Sequence, residues 1–94
     1  MSYQVISFNH KNCEQEVREK LAFSTDEEKK SMLLKLTGFE FIDEAYIVST
    51  CNRVEIALAT RDTFSSYHAV LGMLSLKSGL TFFELKSMDG RYDD

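Results

Sequence analysis

From Tyr3 to Asn9 the chain reads Tyr-Gln-Val-Ile-Ser-Phe-Asn, in which Val5, Ile6 and Phe8 make a half-buried strand. Asn12, with Gln15 three residues on, is placed to cap a short helix. Val17 and Leu21 share one face of it, and Glu14, Glu16, Arg18, Glu19 and Lys20 form a solvated one. Ser24 and Thr25 are each followed three residues later by a glutamate, Glu27 and Glu28. These overlapping capping boxes start a helix that turns Met32, Leu33 and Leu36 inward and stops at Gly38.

Glu44 to Thr50 is β-branched in its middle and apolar on both parities, which predicts a central strand covered on both faces. Arg53 to Thr60 alternates, with Val54, Ile56 and Leu58 on one side, so the two strands form a hairpin with Cys51-Asn52 at its tip. Asp62 or Thr63 opens a helix with the stripe Phe64, Tyr67, Leu71 and Leu74, closed by Gly79. Thr81 to Glu84 reads as a capped turn and Glu84 to Met88 as a last strand, while the tail Asp-Gly-Arg-Tyr-Asp-Asp has the composition of a junction. The order β, α in two pieces, β, β, α, β predicts an α+β domain of the ferredoxin-like, split βαβ type. Its sheet has four antiparallel strands, with the helices on one face.

Ninety-four residues hold one domain, and 44% hydrophobic content with seven Phe and four Tyr supplies a core for it. The net charge of −4 argues against a surface that is wholly a nucleic-acid or anionic-membrane footprint, leaving room for a local basic patch. The four glycines never come closer than seven apart, which excludes both glycine-rich nucleotide-binding motifs. The short apolar runs and the Met-Ser-Tyr-Gln-Val start predict neither a membrane span nor a signal peptide, hence a cytoplasmic protein whose two cysteines are free thiols.

If the segment from 51 onward is extended, Cys51, Arg53 and Glu55 share the sheet face that the helices leave open. A guanidinium beside a thiol favours the thiolate, so Cys51 is a candidate nucleophile. The bland alternative is a small turn residue next to a surface ion pair. His10, Cys13, Cys51 and His68 are the ligand-type residues, but only His10 and Cys13 are closely spaced, so no metal is expected. His68 reads as a histidine at the core edge, and His10, following a central strand, is within reach of the hairpin tip. Arg53 to Thr60 lacks the aromatics and glycine of an RNA-recognition strand. Lys29, Lys30 and Lys35 read as a solvated helix face.

The run Ser49-Thr50-Cys51-Asn52-Arg53-Val54-Glu55 resembles the signature of the glutamyl-tRNA reductase family. Asn9-His10-Lys11 and Glu16-Val17-Arg18-Glu19-Lys20-Leu21 resemble its N-terminal motif. The resemblance implies that residues 1–94 are an N-terminal catalytic, glutamyl-tRNA-binding domain, with Cys51 as nucleophile and Thr50, Asn52 and Arg53 binding substrate. It also implies supporting roles for Glu55 and His10. It further implies that the thioester on Cys51 is reduced to glutamate 1-semialdehyde for tetrapyrrole and haem synthesis. The NADPH-binding and dimerisation domains that complete the family's homodimeric enzymes are not in this sequence. Asn12-Cys13-Glu14 departs from the family's proline-containing run. The alternative to a catalytic domain is a stand-alone interaction module of the same fold, with Cys51 inert.

Overall fold

In a computed structural model, which describes residues 1–94, β1 (Ser2–Asn9) lies between β3 (Arg53–Thr60) and β4 (Gly90–Asp93). The sheet is completed by β2 (Ile42–Ser49) on the outer side of β3, and every pairing is antiparallel. The helices α1 (Gln15–Leu21), α2 (Asp26–Thr37), α3 (Thr63–Ser78) and α4 (Phe82–Met88) supply the other layer. The strand order β2-β3-β1-β4 is that of the expected split βαβ sheet.

Alternation decides which face is covered. Ile6 and Phe8 of β1 and Val54, Ile56 and Leu58 of β3 point into a core closed by Leu21, Met32, Leu36, Leu71, Leu74 and Leu85 from the four helices. Each fully buried leucine contributes about 1.5–3 kcal/mol by leaving water. The opposite face stays open, and this corrects the reading of β2 as central and covered on both sides. It is an edge strand that starts at Ile42, with Tyr46 59% and Val48 40% exposed on the open face and Ala45 and Ile47 against the core. Its two apolar parities reflect aromatic and β-branched residues left on an uncovered face. Tyr3 and Tyr92 are exposed as well, so this domain's strand aromatics stand on β1, β2 and β4. Val5 is likewise only half-buried, because Gln4, Ile6 and Phe8 take the inward parity.

The end of the chain also differs from expectation. Glu84–Met88 is helical, begun by a full capping box between Thr81 and Glu84, and the tail read as a junction is β4 itself. A four-residue strand of Gly, Arg, Tyr and Asp carries no hydrophobic alternation, and side chains hold it instead. The buried Gln4 amide donates to Asp93 Oδ1 and to the Thr63 carbonyl, each at 2.9 Å. Tyr67 donates to Asp89 at 2.5 Å, and the Arg91 guanidinium lies 4.1 Å from the centre of the Tyr67 ring. Burial and the adjacent Asp89 carboxylate push the Tyr67 phenol above its ordinary range. A short, polar edge strand of this kind also discourages pairing with other chains.

Two helix starts differ from the expected ones. Glu14, not Asn12, precedes α1, and it makes no side-chain cap. At α2 the boxes are staggered: Thr25 Oγ1 accepts the Glu28 N–H at 3.1 Å, while Glu28 reaches back to the Ser24 N–H at 3.0 Å. On α3, Asp62 caps as expected, but Phe64 is 68% exposed and the inward stripe begins at Tyr67. On α2, Leu33 is half-buried beside the fully inward Met32 and Leu36.

Candidate functional site

The β2–β3 hairpin turns through Thr50 to Arg53. The Thr50 N–H donates to the Arg53 carbonyl at 2.8 Å, and Thr50 Oγ1 accepts the N–H groups of Asn52 and Arg53, both at 3.2 Å. One hydroxyl thus satisfies two donors that a tight turn would otherwise leave over. Strand geometry begins only at Arg53, so Cys51 sits in the bend and does not continue the row of alternate residues. Of the expected row, Arg53 and Glu55 remain together, with Arg53 Nε 3.3 Å from Glu55 Oε1.

Opposite the hairpin, strand register pairs Asn9 with Arg53. The chain then turns sharply: Asn12 Oδ1 accepts the Asn9 N–H at 2.8 Å, and Asn9 Oδ1 accepts the Lys11 N–H at 2.9 Å. Asn12 therefore closes the turn that presents His10 and Lys11. Gly90 makes room for it, since a Cβ there would stand 3.1 Å from Asn12 Nδ2.

Between these two turns lies a cleft of about 550 Å³ with no hydrophobic side chain in its lining. Asn9, His10 and Lys11 form one wall, and Thr50, Asn52, Arg53 and Glu55 the other. Two permanent cations against one carboxylate suit an anionic group with hydrogen-bonding neighbours. His10 is in this cleft, as the position of β1 in the sheet predicted.

Cys51 is exposed, and it opens on the other side of Thr50. There a notch of about 80 Å³ is lined by Thr50, Cys51 and one face of α1 and its end, namely Gln15, Arg18, Glu19 and Ala22. Those four residues recur at helical spacing, so a single face of α1 meets the turn. This revises the view of the α1 charges as a solvated face. Arg18 is half-buried, its Nη1 donates to the Cys13 carbonyl at 2.6 Å, and its Nε–H is buried without an acceptor. The cleft also holds Asn9 and Lys11, which sequence reasoning did not single out as site residues. The Asn9-His10-Lys11 run itself was the signal that could have found them.

The remaining candidates lie elsewhere. Cys13 is buried, and desolvation raises its thiol pKa above the ordinary value against the opposing pull of Arg18, which makes it a poor nucleophile. His68 is exposed, which corrects its reading as a core-edge residue. Its ring stacks on Phe82 and meets Phe64 at a tilt, with centroids 5.2 and 4.3 Å away, and Nδ1 lies 2.8 Å from the Phe64 carbonyl. No three His, Cys, Asp or Glu side chains converge as a metal site would require. No helix is long and apolar enough to cross a membrane.

Comparison with known proteins adds to this geometry. Residues 6–93 match the family described as glutamyl-tRNAGlu reductase, N-terminal domain. All 94 residues align at 69% identity with a glutamyl-tRNA reductase of a Sulfurovum species and at 45% with one of a Nitratiruptor species. A third, from Sulfurimonas denitrificans, is 39% identical over the same length. The chain spans 22% of the length of each of these relatives.

Proposed function

The chain belongs to the glutamyl-tRNA reductase N-terminal domain family, and from that premise we propose that it is the catalytic domain of an NADPH-dependent glutamyl-tRNA reductase with Cys51 as its nucleophile. The observation that carries the reading is the placement of an exposed thiol at a hairpin tip beside a wholly polar cleft containing Arg53. The substrate is glutamyl-tRNA, whose glutamyl end carries a carboxylate and whose ester carbonyl is the electrophile. Arg53 spends Nε on Glu55, which leaves both Nη groups for a bidentate hold on that carboxylate. Thr50 fixes the turn, and Asn52 offers an amide to the same substrate end.

With the carboxylate held, Cys51 Sγ attacks the ester carbonyl. The C–S bond forms, the C–O bond to the terminal ribose breaks, and the ribose oxygen takes the proton. His10, on the facing wall of the cleft, is the imidazole at hand for that proton. The thioester left on Cys51 is the species to be reduced to glutamate 1-semialdehyde, an entry to tetrapyrrole and haem synthesis. NADPH would supply the hydride, but these 94 residues do not fit it: they have no glycine-rich phosphate turn, and the cleft has no apolar wall for a nicotinamide. Its site is assigned to the part of the protein that the relatives have beyond this domain, as is dimerisation. A working thiol nucleophile belongs in a reducing compartment, and we place the protein in the cytoplasm. Replacing Cys51 by Ala in the intact protein tests this, with semialdehyde formation from glutamyl-tRNA expected to vanish at unchanged melting temperature. An active Cys51→Ala protein contradicts it.

A further inference from the structure

The motif from Glu16 to Leu21 has no part in that reaction until α1 is placed, and its placement addresses a conflict. A single guanidinium cannot both hold a substrate carboxylate and lend its positive charge to a neighbouring thiolate, because the carboxylate neutralises it. Two of the domain's four arginines lie on opposite sides of Thr50. Arg53 lines the large cleft and is paired with Glu55, whereas Arg18 lines the small notch into which Cys51 opens. We propose that the two divide the work: Arg53 holds the substrate carboxylate, and Arg18 faces the negative charge carried by the attacking thiolate and then by the carbonyl oxygen. This rests on the reading of Cys51 as nucleophile.

The environment of Arg18 supports the assignment. Tying down the Cys13 carbonyl needs only one donor, which a glutamine or lysine would supply. Arginine does so with Nη1 and buries an Nε–H that finds no acceptor, a cost that a purely structural residue would avoid. Nη2 makes no hydrogen bond within the domain and belongs to a side chain lining the notch. The opposing carboxylate on that wall, Glu19, is engaged by Gln15 Nε2 at 3.2 Å. When Sγ bonds to the carbonyl carbon, the oxygen gains negative charge before the ribose departs. Arg18 meets that charge without gaining or losing a proton.

Alkylation of Cys51 by anionic iodoacetate and by neutral iodoacetamide reads the local charge directly. It is measured peptide by peptide in the intact protein. The iodoacetate-to-iodoacetamide rate ratio is expected to fall about three- to ten-fold in Arg18→Gln, which keeps a donor for Cys13, and to recover in Arg18→Lys. It should hold in Arg53→Gln and rise in Glu19→Gln, a variant that leaves the Cys13 contact alone. A ratio unchanged in both Arg18→Gln and Glu19→Gln, or lowered only in Arg53→Gln, overturns the division of roles and leaves Cys51 as nucleophile untouched. A wild-type protein that shows the expected ratios yet forms no thioester with glutamyl-tRNA overturns the nucleophile reading, and this proposal with it.

Discussion

The Ser49 hydroxyl accepts the Phe23 backbone N–H at 3.0 Å. That bond joins the end of β2 to the link between α1 and α2, two residues before Cys51, and so presses the polar face of α1 against the reactive turn. Ser49→Ala leaves the Phe23 N–H, in a largely buried segment, without its partner. The expected cost is about 1–2 kcal/mol in a urea titration. The same variant should lower the iodoacetate-to-iodoacetamide rate ratio at Cys51, because α1 is no longer held to the hairpin. Unchanged stability and an unchanged ratio together would show that the bond does not set the notch.

Thr50 Oγ1 is the common acceptor of two N–H groups in the turn. Thr50→Val keeps the shape and removes the oxygen, so amide exchange at Asn52 and Arg53 should accelerate and stability should fall by about 1–2 kcal/mol. Thr50→Ser retains the oxygen and should restore slow exchange. Equal exchange in the two variants would mean that the hydroxyl does not organise the turn.

Glu28 carries the clearest acid dependence. The Lys77 ammonium pairs with it, and hydrogen bonds from Ser24 add to the effect, so its carboxyl falls from an ordinary 4.5 to about 2. A depressed folded-state pKa adds stability that is fully present above the unfolded value and is lost as pH falls through the folded one. The advantage of the wild type over Glu28→Gln in urea midpoints should therefore be constant above about pH 4.5 and shrink towards pH 2. An advantage that persists undiminished at pH 2 would assign it to packing instead.

The sequence pattern carried the sheet and the hairpin because β3 alternates and α2 and α3 have capping residues at their starts. What it missed has physical reasons. β4 has no hydrophobic pattern because the side chains of Gln4, Tyr67 and Arg91 hold its segment in place. β2 looked central because Tyr46 and Val48 are apolar although they face outward. Asn12 looked like a helix cap because its spacing to Gln15 is right, but its side chain is used to close the turn after Asn9. At the site, Arg53, Glu55 and His10 were legible from register and alternation. The separation of Cys51 from that row was not, since it depends on the bend at Thr50 and the approach of α1, which is a tertiary contact.

The central claim is a covalent bond at one sulfur. Mixing the intact protein with glutamyl-tRNA in the absence of NADPH, quenching in acid and mapping peptides by mass should show one glutamyl group on the peptide that carries Cys51. The adduct should be removed by hydroxylamine, absent from the Cys13 peptide and absent in Cys51→Ala. Semialdehyde formation on addition of NADPH by a protein that never carries the adduct on Cys51 would contradict the account.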